Sequence, residues 1–180
     1  MDLLDFAAED MYFDEPVSPE VEALLLDAAQ RYGEGSAEAS LLQAYFLEPE
    51  HLTVLVALYR YFYYRQQYRE SLIVADRAIG IVSSRLGLTV RWQDLSEADL
   101  GRSVQVSMTL TRFLLLALKG SGYLLMRLGE HRDALARFEK IAEIDTSDRL
   151  GITELLTMAR ASVAEAAAER AGGNVRFLSR

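Results

Sequence analysis

Two histidines, His51 and His131, are the residues of this sequence best suited to bind a metal or move a proton near neutral pH. Neither has a second ligand at metal-binding spacing, and they fall in different apolar-periodic segments. Both therefore read as structural. The chain has no cysteine, which removes disulfides, thiolate zinc sites and a cysteine nucleophile, and which fits a reducing compartment. Gly120-Ser121-Gly122 has the composition of a phosphate cradle, but such a cradle follows a strand, and this one lies inside a helical apolar pattern. No GxGxxG, phosphate loop, GxSxG or HExxH motif occurs. Acidic pairs are plentiful, yet nothing in their order brings two into one cleft. The sequence predicts a non-catalytic protein that needs no cofactor and no metal.

The elements carrying these residues are helical. From Leu116 to Thr146 the chain reads as one helical hairpin. Leu118, Ser121, Gly122, Leu125 and Leu128 recur at spacings of three and four, Gly129-Glu130 interrupts them, and Ala134, Leu135, Phe138, Ile141 and Ala142 restart the pattern. Ser121, Gly122 and Ala134 are small enough for two antiparallel helices to approach closely, so Gly122 should face its neighbour. The order small-Gly, Leu-Gly-Glu, Ala, Phe, Ile, Asp resembles a tetratricopeptide (TPR) repeat, a helical hairpin with a period of about 34 residues.

That period recurs. Thirty-four residues downstream, Leu118, Ser121, Gly122 and Leu125 fall on Ile152, Leu155, Leu156 and Ala159. Upstream the step is 63, an insertion of 29, and it lands on Leu55, Leu58, Phe62 and Ser71. One further step of 34 lands on Val21, Leu24, Ala28 and Ala37. The predicted fold is all-α: a TPR-like right-handed array with hairpins at 18–48, 52–85 and 107–145, a C-terminal capping helix at 149–171, and an inserted segment at 85–106. Ser18-Pro19-Glu20 is a helix start, and Ser96-Glu97-Ala98-Asp99 has the composition of a capping box. Trp92, the single tryptophan, should plug the seam between the second and third hairpins or stand exposed as a partner anchor.

The resemblance implies a groove. In TPR arrays the first helix of each hairpin lines a concave surface that holds extended or helical peptides. Carried over by position, the groove residues here are Arg60, Tyr63, Tyr64, Lys119, Tyr123, Met126, Arg127 and Arg160, a basic and aromatic set suited to an acidic protein or peptide. Arg60 and Lys119 stand where carboxylate-clamp TPR proteins carry a base, although the clamp's asparagines have no counterpart.

Charge is unevenly placed. Residues 1–30 hold nine of the 27 acids and none of the 19 Lys and Arg, so the net charge of −8 comes from the front end. Residues 1–17 form an acidic N-terminal extension carrying Leu3, Leu4, Phe6, Met11, Tyr12 and Phe13. It is either a solvated terminus or a segment that docks, in cis or on a second copy, which would make a homodimer. Residues 18–171 form the helical domain, and 172–180 a flexible basic tail. An acidic protein repels phosphate backbones, so nucleic acid is not an expected partner. MDLLDFAAED lacks the plan of a signal peptide, and the most apolar run, Phe113 to Met126, is too short to span a bilayer, so a cytoplasmic location without membrane partners is expected.

In size and three-hairpin layout the chain resembles the TPR chaperones that hold translocator proteins of type III secretion systems. EPEHLTVLVALYRYFYYRQQYRESL, with ALKGSGYLLMRLG later, resembles small TPR proteins encoded among bacterial nitrogen-fixation genes. The first likeness implies an adaptor or chaperone-like binding module. The second implies an accessory factor for assembly or protection of a metalloenzyme such as nitrogenase. An enzyme on a helical scaffold is the third reading.

Overall fold

Ser18 begins the first helix. Its Oγ accepts from Val21 N at 3.4 Å, Pro19 supplies the fixed φ of a first turn, and α1 runs Pro19–Gln30. The computed structural model describes residues 15–32 and 35–172, so most of the acidic extension and nearly all of the basic tail lie outside the described residues. Helix α2 (Ser36–Leu47) returns alongside α1 and stops just before Pro49. Then follow α3 (Leu52–Tyr64), α4 (Tyr68–Arg85), α5 (Glu97–Val106), α6 (Met108–Arg127), α7 (His131–Ile144) and α8 (Thr153–Gly172). A short 3-10 turn, Trp92–Asp94, precedes α5. Among the described residues there is no strand, and no helix is long and apolar enough to cross a membrane.

Three helices end in the same way. At α4 and α6 a glycine with positive φ (Gly87, +67°; Gly129, +78°) follows the cap, and the next N–H reaches back to the helix: Leu88 N to Ser83 O at 3.0 Å, Glu130 N to Leu125 O at 2.9 Å. Helix α3 makes the same turn without glycine. Gln66 takes φ 59°, and Gln67 N bonds Phe62 O at 2.9 Å. A left-handed residue with a Cβ is disfavoured by about 1–2 kcal/mol. The tight connection to α4 is nevertheless kept.

Each helix packs on the next: α1 on α2, α2 on α3, α3 on α4, α4 on α6, α6 on α7, α7 on α8. Helix α3 joins two cores. Val54, Leu58 and Tyr61 turn towards Val21, Ala28, Leu41 and Ala44 of α1 and α2. Leu52 and Leu55 join Ile79, Val82, Leu114, Leu118, Leu124, Phe138, Ile141 and Ile152. Gly122 lies under Phe138, where an added Cβ would overlap the fully buried ring.

The inserted segment is structured and packs on the third hairpin, its 3-10 turn on α7 and α5 on α6. Half-buried Trp92 lies over the Arg137 guanidinium, 5.0 Å from ring centroid to Cζ. Arg137, itself buried, also donates to Ser121 Oγ on α6 at 2.5 Å and pairs with Asp76 on α4 at 2.8 Å. One side chain thus fastens three helices and the insertion. Helix α5 starts in the expected capping box: Ser96 N donates to Asp99 Oδ2 at 2.9 Å and Asp99 N to Ser96 Oγ at 3.3 Å. The bonds from Ser96 hold the Asp99 carboxyl below the usual carboxylate range.

Helix α8 begins at Thr153, later than the periodicity from 149 suggests. Asp148 folds the preceding chain into a turn instead, accepting from Ile152 N at 2.5 Å and Thr153 Oγ1 at 2.6 Å, while Gly151 takes φ 59°. These bonds, Thr153's first, pull the Asp148 carboxyl below its ordinary range.

Candidate binding cleft between the third and sixth helices

Helices α3 and α6 both pack on α4, and their C-terminal halves are closed together by tyrosines. Gly120 leaves room for Tyr59, whose Oη lies 3.0 Å from where a Cβ would stand. One turn on, the Tyr63 and Tyr123 rings meet at 6.4 Å between centroids. Tyr63 also stacks on Tyr59 at 6.2 Å and touches Tyr64 and Tyr68 at 5.6 and 6.1 Å. Arg127 lies 4.8 Å from the Tyr68 centroid and donates to the Tyr123 phenol, and both contacts push the guanidinium pKa further up. Burial pushes the Tyr59 phenol well above its ordinary value, and the neighbouring Tyr63 and Tyr123 phenols add to it. A second aromatic layer continues outwards, with Tyr32 against Tyr61 at 5.7 Å and against Tyr64 at 6.3 Å.

Towards their N-termini the two helices leave a cavity of about 920 Å³. Its floor is Val74, Ala75 and Ala78 of α4; one wall is Leu55, Val56 and Tyr59, and the other is the Leu116, Ala117 and Gly120 edge of α6. The space continues over α6 to Leu100 and Val104 of α5 and to the α7–α8 turn at Asp145, Arg149 and Leu150. Helix α6 creates it by its length. Tyr59 faces Gly120 and Tyr63 faces Tyr123, so residues 108–112 overhang the start of α3, and Met108 is left 63% exposed at the rim. The lining is apolar with charge at its edges: Arg112, Lys119 and Arg149 against Glu97 and Asp145. Lys119 is fixed there by donating to Leu150 O at 2.5 Å.

The residues expected to form one groove divide into groups. Tyr63, Tyr64, Tyr123 and Arg127 share the tyrosine cluster, and Met126 is half-buried against the core. Lys119 belongs to the cavity. Arg60 is exposed on α3 beside Tyr32, whose phenol is raised chiefly by burial. Arg160 reaches Glu139 on α7 at 3.3 Å. His51 is buried at the start of α3, where Nδ1 accepts from Thr53 N at 3.3 Å, and His131 stands at the start of α7. Among the described residues no three His, Asp or Glu side chains come together in a metal-binding group. The repeat register did not point to Val104, Met108 or Leu116 as lining this space. The available signal was the run Met108–Leu116, apolar on more faces than one hairpin partner can cover.

A mainly apolar space with charges of both signs at its rim and a phenol layer beside it suits an amphipathic protein segment. A 19.8 kDa protein of Azotobacter chroococcum mcd 1, described as an uncharacterized protein in the nifW 5′ region, is 45% identical over 156 residues, which cover 87% of this chain and 87% of that protein. The chain belongs to this protein's family. With 156 residues aligned, the likeness extends well beyond any single hairpin. No protein-family model matches the chain, and no solved structure does.

Proposed function

We propose that the chain is a non-catalytic, TPR-like binding module whose α3–α6 cleft receives an amphipathic, acidic segment of a protein partner, and that it serves as a cytoplasmic accessory factor in nitrogen fixation. The observation that carries the binding reading is the cavity of about 920 Å³, apolar in its lining, with three cations at its edges, Arg112, Lys119 and Arg149, against two carboxylates, Glu97 and Asp145. Its volume is near the upper end of small-ligand sites, which run to about 1,000 Å³, and its elongated course along α6 fits a helix or strand of chain better than a compact metabolite. The nitrogen-fixation reading is supported by the relative in the nifW 5′ region. Assembly or protection of a metalloenzyme such as nitrogenase is the role we favour, with the module contributing binding and no metal of its own.

The test replaces the native gene in a nitrogen-fixing host with the Leu116→Asp and Leu116→Trp variants. Aspartate puts an unpaired charge in the apolar lining and tryptophan fills it, so both should lower nitrogenase activity during growth on dinitrogen and leave growth on ammonium unchanged. Leu116 is only half-buried, so the fold should tolerate both, and equal melting temperatures check this. If deleting the gene leaves growth on dinitrogen intact, the accessory role is wrong. If deletion is harmful but both variants behave as the native protein, the cleft is not the site.

A further inference from the structure

We infer that the segment received by the α3–α6 cleft is an α-helix of the partner protein, about three turns long, lying along α6 with carboxylates seven residues apart. This rests on the cleft being the partner-binding site, and it decides the form of what enters. The floor of the cleft is a helix, α4, and both walls are helices, α3 and α6; only the α7–α8 turn at one end is not helical. A helix uses its backbone N–H and C=O groups in its own turns, so this lining offers few to a guest. Its apolar side chains offer none, and the Thr111 hydroxyl already donates to Ser107 O at 2.8 Å. No strand edge borders the space, since there is no strand among the described residues. An extended segment would bury unpaired peptide groups against Leu55, Val74 and Leu116. A helix avoids that cost by bonding to itself.

The spacing along α6 sets the register. Met108, Arg112, Leu115 and Lys119 line the cleft at steps of four, three and four, one stripe of a helix. From Met108 to Lys119 the rise is about 17 Å, which about three turns of a partner helix match. On the floor, Ala75 and Ala78 are small and buried, so a guest helix can sit close to α4. Three helices that line one space in this way leave room for a fourth, as in a four-helix bundle. Exposed Arg112 and half-buried Lys119 are two turns apart, about 10.5 Å, so carboxylates that meet both stand seven residues apart on a helix alongside. Lys119 Nζ uses one of its three N–H groups on Leu150 O. Glu97 and Asp145, also in the lining, disfavour a carboxylate brought against them, which narrows where the guest's acids can stand.

Photo-crosslinking from two positions tests the form of the guest. Benzoylphenylalanine replaces Met108 in one strain and Leu115 in another, and each full-length protein is irradiated in cells growing on dinitrogen. Both positions line the cleft, seven residues and about 10.5 Å apart on α6. The partner residues captured by the two should lie about six to eight apart in its sequence, because a helix alongside has the same rise of about 1.5 Å per residue. A strand rises about 3.3 Å per residue and would give captures about three apart. Arg112→Glu should lower the Leu115 adduct about threefold to fivefold, and lysine in place of the partner acid mapped opposite should restore it. Captures about three apart, captures in a second copy of this chain, or a yield unchanged by Arg112→Glu overturn the inference. The two readings fail separately. Captures about three apart with the Leu116 variants still impaired on dinitrogen sink only the helical form. No adduct with another protein from either position removes the cleft as a binding site, and the helix with it.

Discussion

Asp76→Ala is expected to destabilise the protein by about 3 kcal/mol, the low end of what breaking a buried ion pair costs. The two partners are not equivalent. The Arg137 side chain is 9% exposed, whereas that of Asp76 is 47% exposed. Removing the aspartate strands a buried guanidinium with only Ser121 Oγ and the Trp92 face for company. Removing the arginine strands little, because Asp76 can turn to water and Ser121 Oγ keeps its bond to Leu118 O at 2.9 Å. Arg137→Met, which keeps the stem against Trp92, should therefore cost about 1 kcal/mol. Thermal melts check the order: a fall of about 6–12 °C for Asp76→Ala and a few degrees for Arg137→Met. Equal losses would mean that the pair does not hold the inserted segment to the array.

Gly122→Leu is expected to cost about 3 kcal/mol, and Gly122→Ala should also destabilise. The second outcome is the sharper one, because alanine in a helix interior normally gains about 1 kcal/mol over glycine. Here the new Cβ would run into the ring of Phe138, which is fully buried and has nowhere to go. Gly80 and Gly101 provide the control. Both are exposed helix residues with nothing within 4 Å of an added Cβ, so alanine at either should stabilise by about 0.5–1 kcal/mol. If all three alanine variants shift the melting temperature in the same direction, α6 and α7 do not meet at Gly122.

Local signals were the legible ones. The hydroxyl of Ser18, the Ser96–Asp99 box and the glycines after α4 and α6 act within a few residues of themselves, and each marks a helix end where the pattern placed it. Gly122 could be read because two helices joined by a short turn must meet, and small residues show where. Gln66 could not, since a left-handed glutamine gives no composition signal. The late start of α8 was hidden in the same way, because Asp148 competes for the backbone from outside the apolar pattern. The cleft was the least legible feature. It depends on how far α3 and α6 stand apart at one end while tyrosines close the other, and that distance is set by α4, α5 and the overhang of α6 together. The repeat register placed Tyr63, Tyr64, Tyr123 and Arg127 in one neighbourhood. It had no means of foreseeing that Arg160 would pair with Glu139, since that contact depends on how α8 settles against α7.

The most direct measurement places a photo-crosslinking amino acid, benzoylphenylalanine, at Leu116 inside the cleft and, in a separate strain, at exposed Ala136 on α7. Both full-length proteins are irradiated in cells growing on dinitrogen. A cleft that receives a partner segment predicts one dominant adduct with a second protein from Leu116 and none from Ala136, with the crosslinked partner peptide carrying apolar and acidic residues. Adducts of equal yield from both positions, or a Leu116 adduct whose peptide is basic and polar, would contradict it.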